Sequence, residues 1–394
     1  MLIKINTSIV SFLILCLLLP ILHLQNYLSA SGLTWTISGI GFLPFPAVFF
    51  LWIIFFKQKH SYLMYIKLMC FFQIFFLSLI IILLNYNVCD GMYNSASLFN
   101  IKILYYYFIY FTIGLFFERF NNKGMFVILF WIFMVTNLIY HYDSHFFTIS
   151  LDVVSEESKG IYLFMGDSFA LWSILVLSFL QKRPFITSCV YLLSIVFLFL
   201  FVSRTSLYVF VLLFPIIIYL TKNSFKYFLL IFLILSLIVY SYEFIDTLMA
   251  MNSRMFAFQQ INEDSSVISR SFLYKEGVSA IKNNWFLGDY AGQIKYGGIG
   301  SYIHNYLSLW RQFGLIPFIY FCVLMVFCLN KFYYILKKFQ INVELLSEEY
   351  FFIVGGVFCI IEIIAARSYV TPYIWLFIGI ALNPRLKSDE ILYG

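Results

Sequence analysis

The sequence predicts an all-α polytopic membrane protein, a bundle of about 12 transmembrane helices with one large periplasmic loop that contains short amphipathic helices. Three observations predict this fold. Hydrophobic residues make up 62% of the chain and charged residues 11%, with a mean hydropathy of +0.91, whereas a soluble domain carries about 25% charged residues. Apolar runs of about 20 residues, the length that crosses a bilayer, recur along the chain. A long polar stretch, residues 243–311, interrupts them.

The apolar runs define the predicted spans in chain order. They cover residues 8–27, 37–56, 64–84, 101–117, 124–140, 161–180, 185–202, 205–221, 227–243, 304–330, 350–366 and 370–383. The first run is too long for a signal peptide and no small-residue cleavage site follows it, so we expect it to remain as an anchor. Because no Pro/Gly/Ser-rich linker separates a second domain, residues 1–394 are predicted to form one integral membrane domain.

The positions of Lys and Arg predict the orientation, because these residues are retained on the cytoplasmic side of short loops. Fifteen of them lie beside alternate gaps between spans: Lys4, Lys57, Lys59, Lys67, Arg119, Lys123, Lys182, Arg183, Lys222, Lys226, Lys331, Lys337, Lys338, Arg385 and Lys387. Both termini are therefore predicted to be cytoplasmic and the loop 243–303 to be periplasmic in a Gram-negative cell. The net charge of +6 reflects this topology, and no basic cluster with interleaved aromatics suggests nucleic-acid binding.

The cysteines predict neither a disulfide framework nor a metal site. Six of the seven lie inside predicted spans, and only Cys89 is predicted near the outer surface.

The outer loop contains a candidate amphipathic helix over residues 267–283. Its apolar and small residues recur at helical spacing: Val267, Ser271, Tyr274, Val278 and Ile281. We expect this helix to lie on the bundle and to end near Asn283 and Asn284. A flexible connector is predicted to follow, because five glycines come next: Gly288, Gly292, Gly297, Gly298 and Gly300.

A polar stripe is predicted at the start of span ten. His304, Ser308 and Arg311 have the spacing i, i+4, i+7, which places them on one helix face. At 1.5 Å per residue the stripe descends roughly 10 Å into the membrane. Since a charge at that depth is costly, we expect the stripe to face a water-filled cavity.

Three further arginines, Arg204, Arg270 and Arg367, are predicted at or near the outer face. Arginine keeps its charge and binds phosphate through two parallel hydrogen bonds. Converging arginines opposite a histidine of near-neutral pKa therefore indicate an anionic, phosphate-containing substrate handled from outside. The plainer alternatives are arginines that reach lipid headgroups from helix ends for Arg204 and Arg367, a solvated helix face for Arg270, and an interfacial histidine for His304.

Arg311 is harder to explain as a surface residue, because it lies inside an apolar run and needs a partner or a cavity. Asp167 and Glu362 are the candidate partners. For either carboxylate, neutralising an arginine is a more common role than acting as a general base.

Three runs of sequence carry a resemblance to a known family. They are VSRTSLYVFVLLFPIIIYL, ISRSFLYKEGVSAIKNNWFLG and SYIHNYLSLWRQFGLIPF, in that order and with the loop 243–303 between predicted spans nine and ten. Over residues 195–330, and more loosely in its whole topology, the chain resembles the superfamily of O-antigen polymerases and O-antigen ligases. These are bacterial inner-membrane glycosyltransferases. Each run is short, and their order and placement carry the specificity.

The resemblance implies a donor, undecaprenyl diphosphate carrying an O-antigen saccharide, whose sugar passes to an acceptor hydroxyl at the periplasmic face. It implies that Arg204 and Arg270 bind the donor diphosphate and that His304 is the catalytic residue at the acceptor. The expected substrate-binding residues are Arg204, Arg270, Arg311, Arg367 and Asn305. The expected partners are this lipid-linked oligosaccharide, membrane lipids and a chain-length regulator protein.

The residue types fit this chemistry. Fixed arginines stabilise the negative charge that develops on a leaving diphosphate, and a histidine that accepts the proton of the attacking hydroxyl contributes about 10²–10⁴-fold in rate. No Asp-x-Asp pair occurs in the chain, so we expect arginines rather than a metal ion to neutralise the diphosphate, and no cofactor. Direct attack predicts inversion at the anomeric carbon.

Three functions remain open at this point. A polymerase joins lipid-linked repeat units, and the run GSYIHNYLSLWRQFGLIPF looks closer to that branch of the superfamily. A ligase transfers the same donor saccharide to the lipid A core. A flippase of lipid-linked oligosaccharide also has about 12 helices with interior arginines, but it does not need a long outer loop with a histidine.

Overall fold

The computed structural model describes residues 10, 13–30, 44–56, 61–85, 91–117, 123–143, 148–149, 161–201, 203–221, 265–296, 301–341 and 344–383. Within these ranges the regular secondary structure is helical, apart from one antiparallel pair of two-residue strands, Tyr142–Asp143 and Thr148–Ile149. Predicted span 227–243 and the first part of the predicted loop, residues 243–264, lie outside the described residues.

The helices are numbered here in chain order. They are α1 (Leu19–Ala30, after a π-helical segment Leu13–Leu18), α2 (Pro44–Phe56), α3 (Tyr62–Leu84), α4 (Gly91–Leu115), α5 (Gly124–Tyr140), α6 (Ile161–Leu180), α7 (Pro184–Leu200), α8 (Arg204–Leu212), α9 (Phe214–Leu220), α10 (Ser265–Asn283), α11 (Leu307–Phe313), α12 (Leu315–Gln340), α13 (Ser347–Ala365) and α14 (Tyr373–Leu382). A 3₁₀ helix, Gly292–Tyr296, lies between α10 and α11.

Four helical segments are long and apolar enough to cross a membrane, which indicates a membrane protein. Among the described residues they are Tyr62–Leu84, Ala96–Leu115, Leu163–Leu180 and Leu315–Gln340. Other apolar helices, such as α7 and α14, have 10–17 residues and are shorter than the roughly 20 residues of a typical crossing. The number of about 12 spans stays a prediction.

Two predicted spans are each divided into two helices. The span predicted at 304–330 breaks at Gly314, whose φ of +79° ends α11 before α12 begins, a conformation that glycine adopts without a Cβ penalty. The span predicted at 205–221 breaks at Leu213, where Pro215 is in the first turn of α9. Proline cannot donate the backbone hydrogen bond that would continue α8.

The described helices pack as two compact units. The first comprises residues Met1–Phe49, Phe117–Gln259 and Ile341–Phe358. At its centre lies α6, which packs against α1, α5, α7 and α8. Between Ala170 and Leu177 every residue of α6 is buried, as expected of a helix surrounded by apolar neighbours.

The second unit comprises Phe50–Phe116, Gln260–Gln340 and Cys359–Gly394. In this unit α4 and α14 pack so closely that a Cβ on either Gly114 or Gly379 would overlap the backbone of the other helix. Glycine at both positions allows this approach, as small residues do between membrane helices. Every residue of α14 is buried. The long α12 packs on α3 and α14, and the short α11 connects it to α10.

Candidate active site

The segment that carries His304 is not part of a helix, which corrects the predicted stripe. Helix α11 begins at Leu307, so His304 lies ahead of it and does not share a helical face with Ser308 and Arg311. Asn305 lies immediately before Tyr306, the N-cap of the helix. Its side-chain oxygen accepts a hydrogen bond from the Leu307 backbone N–H at 3.0 Å, and its carbonyl accepts one from the Ser308 hydroxyl at 2.6 Å. Asn305, predicted to bind substrate, therefore has a structural role in the turn that leads into α11.

Ser308 joins this segment to the chain that leaves α13. Its buried hydroxyl accepts a hydrogen bond from the backbone N–H of Tyr369 at 2.7 Å while donating to Asn305. Two more hydrogen bonds join the same two segments, one from the His304 ring to the Ala366 backbone and one between the side chains of Tyr302 and Ser368. These contacts fix Arg367 beside the His304 ring.

Arg367 lies in the interior of the second unit. Its guanidinium Nη2 is 3.6 Å from Oε1 of Glu362, and both side chains are buried. Burial of the guanidinium disagrees with the alternative in which Arg367 extends to lipid headgroups. The Glu362 carboxylate instead neutralises an arginine, the structural role that the sequence favoured for it, although the arginine is Arg367 and not Arg311.

Arg270 approaches the same histidine from α10. It is half-buried on the inward face of the helix, which includes Leu273, Gly277 and Ile281. The helix itself agrees with the prediction, but its inward face does not, because Val267 and Tyr274 of the predicted face are exposed. The apolar spacing misjudged the face because it included Val267, Ser271 and Tyr274, which are exposed, and left out Gly277, which is buried.

The charges around His304 determine its protonation. Burial, together with the positive charges of Arg270 and Arg367, lowers the pKa of His304 to about 4. The hydrogen bond to the Ala366 backbone raises the pKa but is the smaller effect. The ring is therefore neutral at pH 7 and one of its nitrogens can accept a proton. We name Arg270, Tyr302, His304 and Arg367 the His304 cluster.

Tyr302 was missed at the sequence level, although it stands two residues before His304. Its ring centroid lies 5.5 Å from that of His304 and 5.8 Å from that of Tyr369. Burial raises the pKa of Tyr302, while the Ser368 hydrogen bond and the Arg367 charge oppose the change. Tyr302 thus stays a neutral phenol that can donate a hydrogen bond beside the arginines.

Arg311 is one of the largest buried side chains among the described residues, with 2% of its surface exposed. Its Nη2 lies 3.3 Å from Oδ2 of Asp289, so the predicted partners Asp167 and Glu362 are wrong and Asp289 was missed. Among the described residues, Nε and Nη1 of Arg311 have no hydrogen-bond partner. Its neighbours include the Tyr296 ring, at 5.9 Å from the guanidinium carbon, and Gly277.

A hydrogen-bonded network of side chains supports the Tyr369 segment. The Tyr369 hydroxyl donates to Oδ1 of Asn100 at 2.8 Å, the Asn100 amide donates to the Tyr290 hydroxyl at 3.3 Å, and Tyr290 donates to Ser97 at 3.2 Å. The Tyr107 hydroxyl also donates to the Tyr369 carbonyl. These contacts hold the 366–371 segment in place, because each hydrogen bond of the network requires a particular geometry of its two partners.

Arg204 and Asp167 belong to the first unit. Arg204 is half-buried at the first position of α8, after Ser203. The Ser206 hydroxyl donates to Oδ1 of Asp167 at 2.5 Å. Because a serine has only one proton to donate, the 2.6 Å contact between Ser203 and Ser206 has Ser203 as its donor. We name Asp167, Ser203 and Ser206 the Asp167 cluster.

The second unit thus brings together His304, Arg270 and Arg367, with Asn305 next to His304 and Arg311 in the adjoining helix α11. Among the described residues no group of three His, Cys, Asp or Glu side chains could hold a metal ion. No family model matches the chain, and no curated protein or solved structure matches it either.

Proposed function

We propose that this protein is an O-antigen polymerase, a membrane glycosyltransferase that joins undecaprenyl-diphosphate-linked repeat units at the periplasmic face of the inner membrane. The observation that carries the proposal is the His304 cluster, in which two arginines flank a neutral histidine. The resemblance in the runs around Arg204, Arg270 and His304 supplies the substrate. The finer topology of about 12 spans, with both termini cytoplasmic, is part of this proposal.

The arginines bind the diphosphate of the donor. Arg270 is half-buried on α10 and reaches the cluster from one side, whereas Arg367 is held from the other by Glu362. Two guanidinium groups fixed in this way stabilise the charge that grows on the diphosphate as the bond to the anomeric carbon breaks. That Arg204 also binds donor diphosphate stays a prediction from the resemblance.

His304 is the general base. A histidine with a pKa of about 4 is mostly neutral at pH 7 but is a weak base. A diphosphate bound to Arg270 and Arg367 offsets their positive charge and so raises the pKa of His304 towards neutrality. The base becomes effective when the donor is bound and takes the proton of the acceptor hydroxyl as that oxygen bonds to the anomeric carbon. The bond from the anomeric carbon to the diphosphate oxygen breaks at the same time, and undecaprenyl diphosphate departs with the electron pair.

The acceptor distinguishes the polymerase from the ligase. Both enzymes hold the same donor, so the His304 cluster suits either, and the resemblance of the SYIHNYLSLWRQFGLIPF run favours the polymerase. Lipopolysaccharide from a deletion strain separates them on a gel: loss of a polymerase leaves a single O unit on the core, whereas loss of a ligase leaves the core bare. A bare core overturns the assignment to polymerization.

A His304→Ala variant separates both enzymes from a flippase. For a transferase we expect chain elongation to stop while lipid-linked units still reach the periplasm. For a flippase the units accumulate on the cytoplasmic side. Stereochemistry gives an independent test of the mechanism, because single displacement inverts the anomeric configuration, and a product that keeps the configuration of the donor excludes it.

A further inference from the structure

The turn after α10 exposes three consecutive large apolar side chains. Trp285 is 55% exposed, Phe286 48% and Leu287 70%. This turn precedes the 3₁₀ helix and belongs to none of the candidate spanning segments. A contiguous apolar patch of this kind marks a surface that contacts another phase or partner.

The turn is rigidly attached to the beginning of α12. The Leu315 backbone N–H donates to the Phe286 carbonyl at 3.0 Å, and the Trp310 indole N–H donates to the Trp285 carbonyl at 2.7 Å. Gly288, with φ +80°, lies so close to Gly314 that a Cβ on it would be 2.6 Å from the Gly314 nitrogen. The turn therefore lies at the same depth as the first residue of a candidate spanning helix.

The apolar surface of α12 continues into this turn. Large exposed residues recur along the helix at Ile316, Ile319, Val323, Val326 and Leu329. On a spanning helix this exposed strip faces lipid. At its outer end the Trp310 ring stacks on Phe318 with centroids 5.1 Å apart, and Trp310 in turn is bonded to Trp285.

The composition of the turn favours the interfacial zone over the hydrocarbon core. Tryptophan is enriched at the level of the headgroups because its ring is apolar with a polar edge. Lys282, in the last turn of α10, is exposed just ahead of Trp285. A basic residue beside aromatic and aliphatic ones is typical of segments that lie at the boundary between headgroups and acyl chains.

We propose that the Trp285–Phe286–Leu287 turn is a membrane anchor that inserts into the lipid interface. It holds α11 at the level of the headgroups, because the Asp289 backbone N–H donates to the Arg311 carbonyl at 2.6 Å. The partner is the lipid surface itself. This inference goes beyond sugar transfer and does not depend on it.

The test measures the depth of Leu287 in empty vesicles. Full-length Leu287→Cys protein is labelled with an environment-sensitive fluorophore and reconstituted into phosphatidylcholine and phosphatidylglycerol vesicles. The vesicles carry a nitroxide at the headgroup, near the top of the acyl chain or near its end. We expect the strongest quenching from the first two nitroxides and little from aqueous iodide. Wild-type protein labelled in parallel gives the background from native cysteines.

Two control positions calibrate the depth. Val326→Cys lies 11 residues after Leu315 on α12, roughly 16 Å along the helix, and should be quenched best by the deep nitroxide. Lys295→Cys, exposed on the 3₁₀ helix, should be quenched by iodide. If iodide alone quenches the label on Leu287→Cys, the turn lies in water and the proposal is wrong. If neither iodide nor the lipid nitroxides quench it, protein covers the turn and the proposal is also wrong.

Discussion

The Asp167 cluster and the His304 cluster both bury polar groups, but they do so with opposite chemistry. In the Asp167 cluster one carboxylate accepts from a relay of serine hydroxyls, within helices of the first unit. In the His304 cluster the charges are positive, and they come from Arg270 on the face of α10 and from Arg367 in the segment that follows α13. Asp167 is fully buried, whereas Arg270 and His304 are only half-buried.

The two clusters differ in whether their central group can still react: Asp167 accepts a hydrogen bond inside the protein, whereas His304 can still accept a proton. Ser206 supplies a short hydrogen bond to Asp167, so the carboxylate has a partner within its own unit. The His304 ring, by contrast, is kept neutral beside two guanidinium groups and keeps one nitrogen as an acceptor. Replacing residues in the first cluster should change mainly stability, and replacing residues in the second mainly activity.

The largest effect is expected from His304→Ala. Loss of a general base lowers the rate of transfer by about 10²–10⁴-fold, while a half-buried ring in the non-helical segment ahead of α11 contributes less to folding than a core side chain. The measurement is polymer formed from purified lipid-linked repeat units by reconstituted protein, normalised to protein in the membrane.

The matched comparison is Asn305→Ala at the neighbouring residue. This change removes the side-chain acceptor of the Leu307 backbone N–H, a hydrogen bond worth about 0.5–1.5 kcal/mol, without removing a base. The fold should therefore weaken, and the turnover of the remaining protein should persist. Equal loss of turnover in both variants would show that His304 acts through the conformation of its segment.

The next effect is expected from Asp167→Ala. It leaves the buried Ser206 hydroxyl without the acceptor that it contacts at 2.5 Å, at a cost of about 1–3 kcal/mol. We expect a lower thermal midpoint in detergent and less protein in the membrane. Asp167→Asn is the control, because its amide oxygen still accepts from Ser206. If Asp167→Asn abolishes transfer in protein of wild-type stability, the contrast between the clusters fails.

The sequence alone predicted much of the second unit but few of its contacts. Helix α10 and the convergence of Arg270, His304 and Arg367 were predicted from helical spacing and from the rare charges of an apolar chain. The ion pair between Arg311 and Asp289 could not be predicted in this way, because it depends on how the chain turns at Gly288. Considering only intramembrane carboxylates excluded the correct partner.

The sequence contains a signal for the break between α11 and α12, the glycine at position 314, but hydropathy does not detect it. Gly314 lies within an apolar run, and averaging over a window of about 20 residues hides a single backbone position. The positive φ at Gly314 moves α11 out of the spanning helix. That change converts a predicted polar stripe at membrane depth into a short helix fixed to α10 and to the 366–371 segment.

A smaller effect is expected in the pH dependence of stability. The pKa of His304 is lowered in the folded protein to about 4, from an ordinary value of about 6.5. Stability from the neutral ring is therefore fully present above about pH 6.5 and is lost as the pH falls towards 4. The difference in thermal midpoint between wild type and His304→Gln should change across this range and stay constant above it. A constant difference from pH 7 to 4 would contradict the lowered pKa.

The smallest effect is expected from Lys182→Ala, outside both clusters. Lys182 Nζ lies 2.9 Å from Oε2 of Glu344 in the first unit, but the two side chains are 74% and 55% exposed. Water screens such a pair and ordering two long side chains opposes it, so we expect a change in unfolding free energy of about 0.2–1 kcal/mol and unchanged transfer. Glu344→Gln tests the same contact from the other side. A larger loss of unfolding free energy in either variant, unchanged by added salt, would contradict this expectation. It would mean that the distance between two charges, and not their burial, decides how much they stabilise the fold. The Asp167 cluster would then not differ in kind from an exposed ion pair.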